Sequence, residues 1–246
     1  MNQLFITYLR AGVVLFAILV SAIGLSASPH ALNDKVLNRP YTDMRRWHLG
    51  FSVGMHTQDI TFTHNGYITD GGEQWFMEQP SFSPGFCVNG LIDLRRHPMF
   101  NLRFTPGMYF GNRDITMREY ESGNLLRQNL KSTYIVLPLD LKFSGMRYRQ
   151  SRPYLTAGVM PTVNLTRSSG DYLRLKPFDM YLTAGFGCDF YLPYFKLIPE
   201  VKFCFGLSDI IDHDRPDLVD EPDKSKITRS LKKAVSRMVV LTFYFE

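Results

Sequence analysis

Along residues 133–143, TYIVLPLDLKF, every second side chain is bulky and apolar (Ile135, Leu137, Leu139, Leu141, Phe143), while Asp140 and Lys142 fall on the other parity. A period of two marks a strand, whose successive side chains point to opposite faces. The same rule recurs in seven further segments. Trp47, Leu49, Phe51, Val53 and Met55 oppose His48, Gly50, Ser52 and Gly54; Phe86, Val88, Gly90, Ile92 and Leu94 oppose Cys87, Asn89 and Asp93. Phe100, Leu102, Phe104, Met108 and Phe110 oppose Asn101, Arg103, Thr105, Gly107 and Tyr109. After the opening stretch, Leu155, Ala157, Val159, Val163 and Leu165 oppose Tyr154, Thr156, Gly158, Thr162 and Asn164. Met180, Leu182, Ala184, Phe186, Cys188 and Phe190 oppose Asp179, Tyr181, Thr183, Gly185, Gly187 and Asp189. Leu197, Val201, Phe203, Phe205 and Leu207 oppose Lys196, Glu200, Lys202 and Gly206, and Val239, Leu241, Phe243 and Phe245 oppose Met238, Val240, Thr242 and Tyr244.

No Asp, Glu, Lys or Arg enters the apolar rows, although these residues make up 21% of the chain. In a water-soluble sandwich the polar face would be rich in solvated Lys, Glu and Thr. Here that face carries Gly, Tyr, Asn and Thr with a few charges of both signs, the composition of a packed small-barrel interior. Apolar rows facing lipid explain their purity, because Lys or Arg at mid-bilayer on a barrel costs ~2–4 kcal/mol. Hydrocarbon also offers no water to an open sheet edge, so the strands must close on themselves. The pattern predicts an all-β chain, an eight-stranded antiparallel transmembrane β-barrel of the outer-membrane type. Asp93, Arg103, Asp140, Lys142, Asp189, Glu200 and Lys202 then form a polar network inside the lumen.

Linker lengths fit the same plan. Long connections near 57–84, 111–132, 166–178 and 208–236 alternate with the short RRHPM, SGMRYRQSR and YLPY. Outer-membrane barrels place short turns in the periplasm and long loops outside. Aromatic girdles are expected at Trp47, Phe100, Phe143, Phe190, Tyr194 and Phe245 on the periplasmic side and at Phe86 and Phe110 on the other. Pro106, Pro138, Pro161 and Pro199 fall inside predicted strands, where each lacks a ladder donor, so bulges or gaps are expected there.

At the start of the chain, one positive charge, Arg10, precedes an apolar run with Ala22 and Ala27 as cleavage points. Residues 1–27 read as a cleaved signal peptide, 28–45 as a periplasmic N-terminal segment and 46–246 as the barrel. After Ala27 no run reaches the ~20 apolar residues of a spanning helix. The formal net charge of +5 does not imply nucleic acid, which an exported protein does not meet. Cys87, Cys188 and Cys204 are odd in number and widely spaced, which argues against a disulfide framework or a zinc site and for small apolar residues in strands.

Motifs for catalysis are missing: there is no GxSxG, HExxH or P-loop, and GFGCDF at 185–190 lacks the third glycine and following helix of a phosphate cradle. His48, Ser52 and His56 share one strand face and are the residues from which a lipid A or phospholipid hydrolase would have to be built; hydrogen-bonded interior positions account for them more simply. Asp212, Asp214 and Asp217 do not keep the spacing of a calcium loop. Trp75, Phe76 and Met77 sit together in a polar connection and are expected to form a contact surface for a partner or lipopolysaccharide. No catalytic residue, metal, cofactor, nucleic acid or small-molecule substrate is expected.

The strand wording also carries a resemblance. SFSPGFCVNGLIDLRR, LRFTPGMYFGNRDI, TYIVLPLDLKF, RPYLTAGV and DFYLPYFKLIPEVKFCFGLSDII, in this order, resemble the PorT family of Bacteroidetes outer-membrane barrels. The resemblance implies an accessory part in the type IX secretion system, which exports proteins bearing C-terminal sorting domains and supports protease secretion or gliding. It implies no catalytic residues. Its partners would be other outer-membrane components of that machine, together with lipopolysaccharide and outer-membrane lipid. Glu246 follows Phe245 and displaces the terminal aromatic of a barrel-assembly signal by one position. A generic small barrel working through its outer loops as an adhesin or envelope stabiliser is the other non-enzymatic reading.

Overall fold

In the computed structural model, residues 38–64, 75–77, 83–119, 125–166, 176–211 and 231–246 are described. Residues 1–27, read above as a signal peptide, most of the 28–45 segment and Asp212, Asp214 and Asp217 lie outside them. The described strands are β1 (Trp47–His64), β2 (Trp75–Met77), β3 (Gly85–Arg95), β4 (Phe100–Phe104), β5 (Gly107–Glu119), β6 (Leu125–Val136), β7 (Leu139–Ser144), β8 (Ser151–Asn164), β9 (Phe178–Tyr191), β10 (Lys196–Gly206) and β11 (Leu231–Phe245). All pairings are antiparallel, and β11 closes on β1. With β4 and β5 forming one stave and β6 and β7 another, the sheet is a ring of eight. No helix among the described residues is long and apolar enough to cross a membrane.

Side-chain sidedness follows the sequence period. Leu49, Phe51, Leu141, Leu155 and Leu182 stand exposed on the outer wall, while Ser52, Arg103, Asp140 and Thr183 are buried inside. Pairing brings aromatic residues side by side at the rims: Phe86 stacks on Phe110 with centroids 4.8 Å apart, and Phe100 meets Phe143 at 5.0 Å. On the outer wall Val201 and Val239 are covered by Phe186, Phe203 and Leu241, so even the lipid face has a small packed cluster.

Prolines interrupt the ladder without shifting it. Pro106 separates β4 from β5 and Pro138 separates β6 from β7, and the register is the same on both sides of each break. Pro161 stays inside β8, still opposite Met180, and faces the Pro138 break. Each of these three prolines keeps its carbonyl in use: Gly90 donates to Pro106 at 2.8 Å, Thr105 to Pro138 at 3.1 Å and Leu137 to Pro161 at 3.0 Å. The missing donors are thus gathered in one patch of three neighbouring staves. At Pro199 the ladder to β9 skips two residues, while pairing with β11 continues through Phe243. These are gaps, not bulges.

Three of the four expected long connections are shorter than the sequence suggested. β1 runs on to His64, pairing with β11 as far as Leu231; β5 continues to Glu119 against β6 from Leu125. The apolar row ends where the strands leave hydrocarbon, but the backbone pairing does not, because water penalises neither face of a hairpin. The period-two signal therefore fades before the strand does. Trp75–Met77 form a short strand paired with Met117–Glu119 of β5, where the sequence suggested the tip of a loop.

Arginine at Val53, midway along the outer row of β1, is expected to destabilise the barrel in vesicles by ~2–4 kcal/mol, whereas arginine at Trp47 on the rim costs about 0–1 kcal/mol. Urea-unfolding midpoints of the two variants measure the difference.

Candidate functional site

Alternation places every even residue from 196 to 202 of β10 inside the ring, and the facing strands supply charges at matching depth. Arg103 on β4 is fully buried. It donates from Nε and Nη2 to Asp93 Oδ2 at 3.3 and 3.1 Å, and from Nη1 across the lumen to Glu200 Oε2 at 2.8 Å. Lys202 lies 2.5 Å from Asp140 Oδ2 and 3.4 Å from Glu200 Oε1, and Thr183 donates to the other oxygen of Asp140 at 2.7 Å. Lys142 reaches both oxygens of Asp189 at 2.8 Å. The seven charged residues singled out from the sequence therefore form two groups, Asp93–Arg103–Glu200–Lys202–Asp140 and Lys142–Asp189, drawn from β3, β4, β7, β9 and β10.

Further members were in plain view on the inner rows. Tyr154 donates to Glu200 at 2.7 Å and presents its ring to Arg103 and Lys142, at 5.1 and 4.1 Å. Tyr244 donates to the other Glu200 oxygen at 3.2 Å and receives Arg103 on its ring at 5.1 Å. These rings occupy space that glycine leaves open: Gly187 is opposite Tyr154, and a β-carbon there would enter the Tyr154 ring. Lys196 bridges Asp189 at 3.4 Å and Glu246 at 2.9 Å, and His48 Nδ1 is 2.6 Å from Glu246 Oε1. Glu246 is the next inward position after Tyr244, so the same parity that placed Tyr244 inside predicts it.

The ion-paired charges occupy the end of the lumen nearer the short turns. Toward the long connections the filling becomes Cys87, Tyr109, Tyr134, Val136, Met160, Tyr181, Cys204, Met238 and Val240. Below the charges, residues 38–46 fold under the mouth. Asn38 donates to Gln150 and to the carbonyl of Tyr191, both at 3.1 Å; Asp43 accepts from the Tyr191 hydroxyl at 2.6 Å and faces Arg147 and Arg152 at 3.6 and 3.7 Å. The lumen is filled by packed side chains from the cap to the aromatic layer.

The hydrolase grouping does not assemble. His48, Ser52 and His56 are four residues apart along one strand, roughly 13 Å between neighbours. Their contacts are separate ones: His48 with Glu246, Ser52 as acceptor from Asn89 at 3.1 Å, and His56 with the Phe110 carbonyl at 3.2 Å. GFGCDF is part of the regular strand β9. Cys87, Cys188 and Cys204 are free and buried. Trp75, Phe76 and Met77 share the short strand β2, which pairs with Met117–Glu119 at the far end of β5.

Arg103→Met leaves Asp93 and Glu200 as buried charges without their guanidinium and is expected to cost ~3–5 kcal/mol, read from urea unfolding in vesicles. Planar-bilayer recordings of the intact barrel are expected to show no steady large channel. At the periplasmic rim, burial by itself would raise the Glu246 pKa, but the His48 hydrogen bond and the Lys196 charge outweigh it and hold the carboxyl well below its ordinary value. A depressed folded pKa stabilises above the ordinary value near 4.5, and the gain is lost as pH falls toward the folded one. Glu246→Gln is expected to flatten the acid limb of the stability profile below about pH 4.5.

Among solved structures, OprG of Pseudomonas aeruginosa is 14% identical, with 81% of this chain and 91% of that chain covered and a TM-score of 0.42. Neisserial surface protein A is 8% identical over 81% and 98% of the two chains, TM-score 0.42. Ail of Yersinia pestis, in complex with the heparin analogue sucrose octasulfate, is 11% identical over 82% and 99%, TM-score 0.37. No curated protein matches the chain in sequence. Residues 33–212 match the family described as outer membrane protein beta-barrel domain. Covering most of the chain, that match makes this protein a member of the outer-membrane β-barrel family, resident in the outer membrane.

Proposed function

We propose that this protein is a non-enzymatic accessory or assembly component of the type IX secretion system, of the PorT kind. Support comes from the strand wording, above all TYIVLPLDLKF with RPYLTAGV and the YFKLIPEVKF to GLSDII run. The filled lumen is the observation that carries the accessory role. An eight-strand ring is just wide enough for side chains, and here Arg103, Lys142, Lys202 and their carboxylates occupy it. Such a barrel does not pass a polypeptide. It acts through its wall, its rims and its outer connections on larger components that do.

Deleting the gene is expected to leave proteins with C-terminal sorting domains in the periplasm while the envelope stays intact, as judged by fractionation and detergent sensitivity. Normal secretion in the deletion strain removes the proposal. Loss of surface binding with normal secretion would point to an adhesin instead.

A further inference from the structure

The short-turn end of the barrel has a charge pattern unlike the rest of the chain. Residues 38–46, 95–99, 145–153 and 192–195 contain eight arginines, no lysine and one acid, Asp43. Arg147 and Arg152 face Asp43, and Arg39 donates to the Glu246 carbonyl at 3.0 Å, so these three hold the cap. Arg45, Arg46, Arg96 and Arg149 are exposed and have no carboxylate partner among the described residues. Two of the rim arginines, Arg39 and Arg149, have φ of 49° and 53°, and they are the non-glycine residues with positive φ among those described. Glycine or asparagine would adopt that conformation at lower cost, so at Arg149, on an exposed turn, the side chain is what the position keeps.

The cap also places its apolar side chains out of reach of lipid. It starts beneath β8 and β9, where Asn38 is bonded to Gln150 and Tyr191, and ends at β1 and β3, where Arg95 donates to the Arg46 carbonyl at 2.9 Å. In a ring of eight, β8 and β1 are opposite walls, so the segment crosses the mouth. Thr42 is buried on its inner side, whereas Tyr41 and Met44 are 74% and 73% exposed. Lipid surrounds the barrel wall and does not lie beneath the lumen. Exposed Tyr and Met among arginines, with lysine absent, is the composition of a protein-binding patch. Guanidinium forks match carboxylates in bidentate pairs.

We propose that this periplasmic cap is a docking face for an acidic segment of a periplasmic protein, with Tyr41 and Met44 as the apolar centre and Arg45, Arg46, Arg96 and Arg149 as the carboxylate-binding ring. The proposal deepens the accessory-barrel reading by naming the end that engages a partner, and rests on it only in that a partner exists.

The test is site-specific photo-crosslinking in living cells producing the full-length protein with benzoylphenylalanine at Tyr41, and at lipid-facing Phe51 as control. The expected result is one discrete protein adduct at Tyr41 and not at Phe51, with an Asp- and Glu-rich peptide at the crosslink by mass spectrometry. Combined Arg45→Gln, Arg46→Gln, Arg96→Gln and Arg149→Gln should lower its yield by about tenfold or more, with unchanged heat-modifiable migration of the barrel. Adducts to phospholipid or lipopolysaccharide alone, no adduct, a crosslinked peptide without acidic residues, or a yield indifferent to the four substitutions would each overturn it. Secretion is scored in the same strains: a lost adduct with normal secretion keeps the docking face and removes the secretion role.

Discussion

A charge taken into the dry interior of a closed barrel has to meet an opposite charge, and this requirement organises the molecule. Arg103, Lys142, Lys196 and Lys202 are each within ion-pair distance of two carboxylates or of both oxygens of one, and three of the pairs, Arg103 with Glu200, Lys202 with Asp140 and Lys142 with Asp189, join strands that are not neighbours in the sheet. Replacing such pairs by apolar groups is often neutral or stabilising in other proteins, so stability alone does not explain them. Register does. A shift of one residue in β3, β4, β7, β9 or β10 would put a charged side chain in hydrocarbon and an aliphatic residue among charges, so the network fixes the alignment of these five strands.

The prolines belong to the same account. A closed barrel has no edge on which to hide a missing donor. Pro106, Pro138 and Pro161 fall within one residue of each other across three staves, and their carbonyls still accept from the neighbouring strands. Gathering the gaps leaves the rest of the ladder continuous, and the unchanged register keeps Asp140 and Arg103 at the depth where their partners lie.

The two ends of the barrel differ in kind. Toward the long connections the lumen is tyrosine, methionine and cysteine, and the strands extend beyond the apolar band as paired hairpins. Toward the short turns the lumen is ionic, and the chain preceding β1 folds beneath it, tied down by Asp43 and Asn38. Burying the network under that cap protects its ion pairs from competing water, which strengthens them.

How much of this was legible beforehand depends on the range of the cause. Alternation is a local property, so the inward or outward direction of Leu141, Lys142, Phe186 and Glu200 could be read from neighbouring residues alone, as could the closure that hydrocarbon imposes. Glu246 was equally legible, two positions past Tyr244, but reading it as a displaced terminal aromatic hid its place beside His48 and Lys196. Strand ends were not legible, because outside the bilayer neither face is selected for apolarity and pairing persists without a pattern. Which charge meets which was also beyond reach: Arg103 finds Glu200 ninety-seven residues away only because ring closure and register set both at one depth. A one-dimensional period determines the face on which a side chain stands; the partner it meets there is decided by the three-dimensional alignment of the closed sheet.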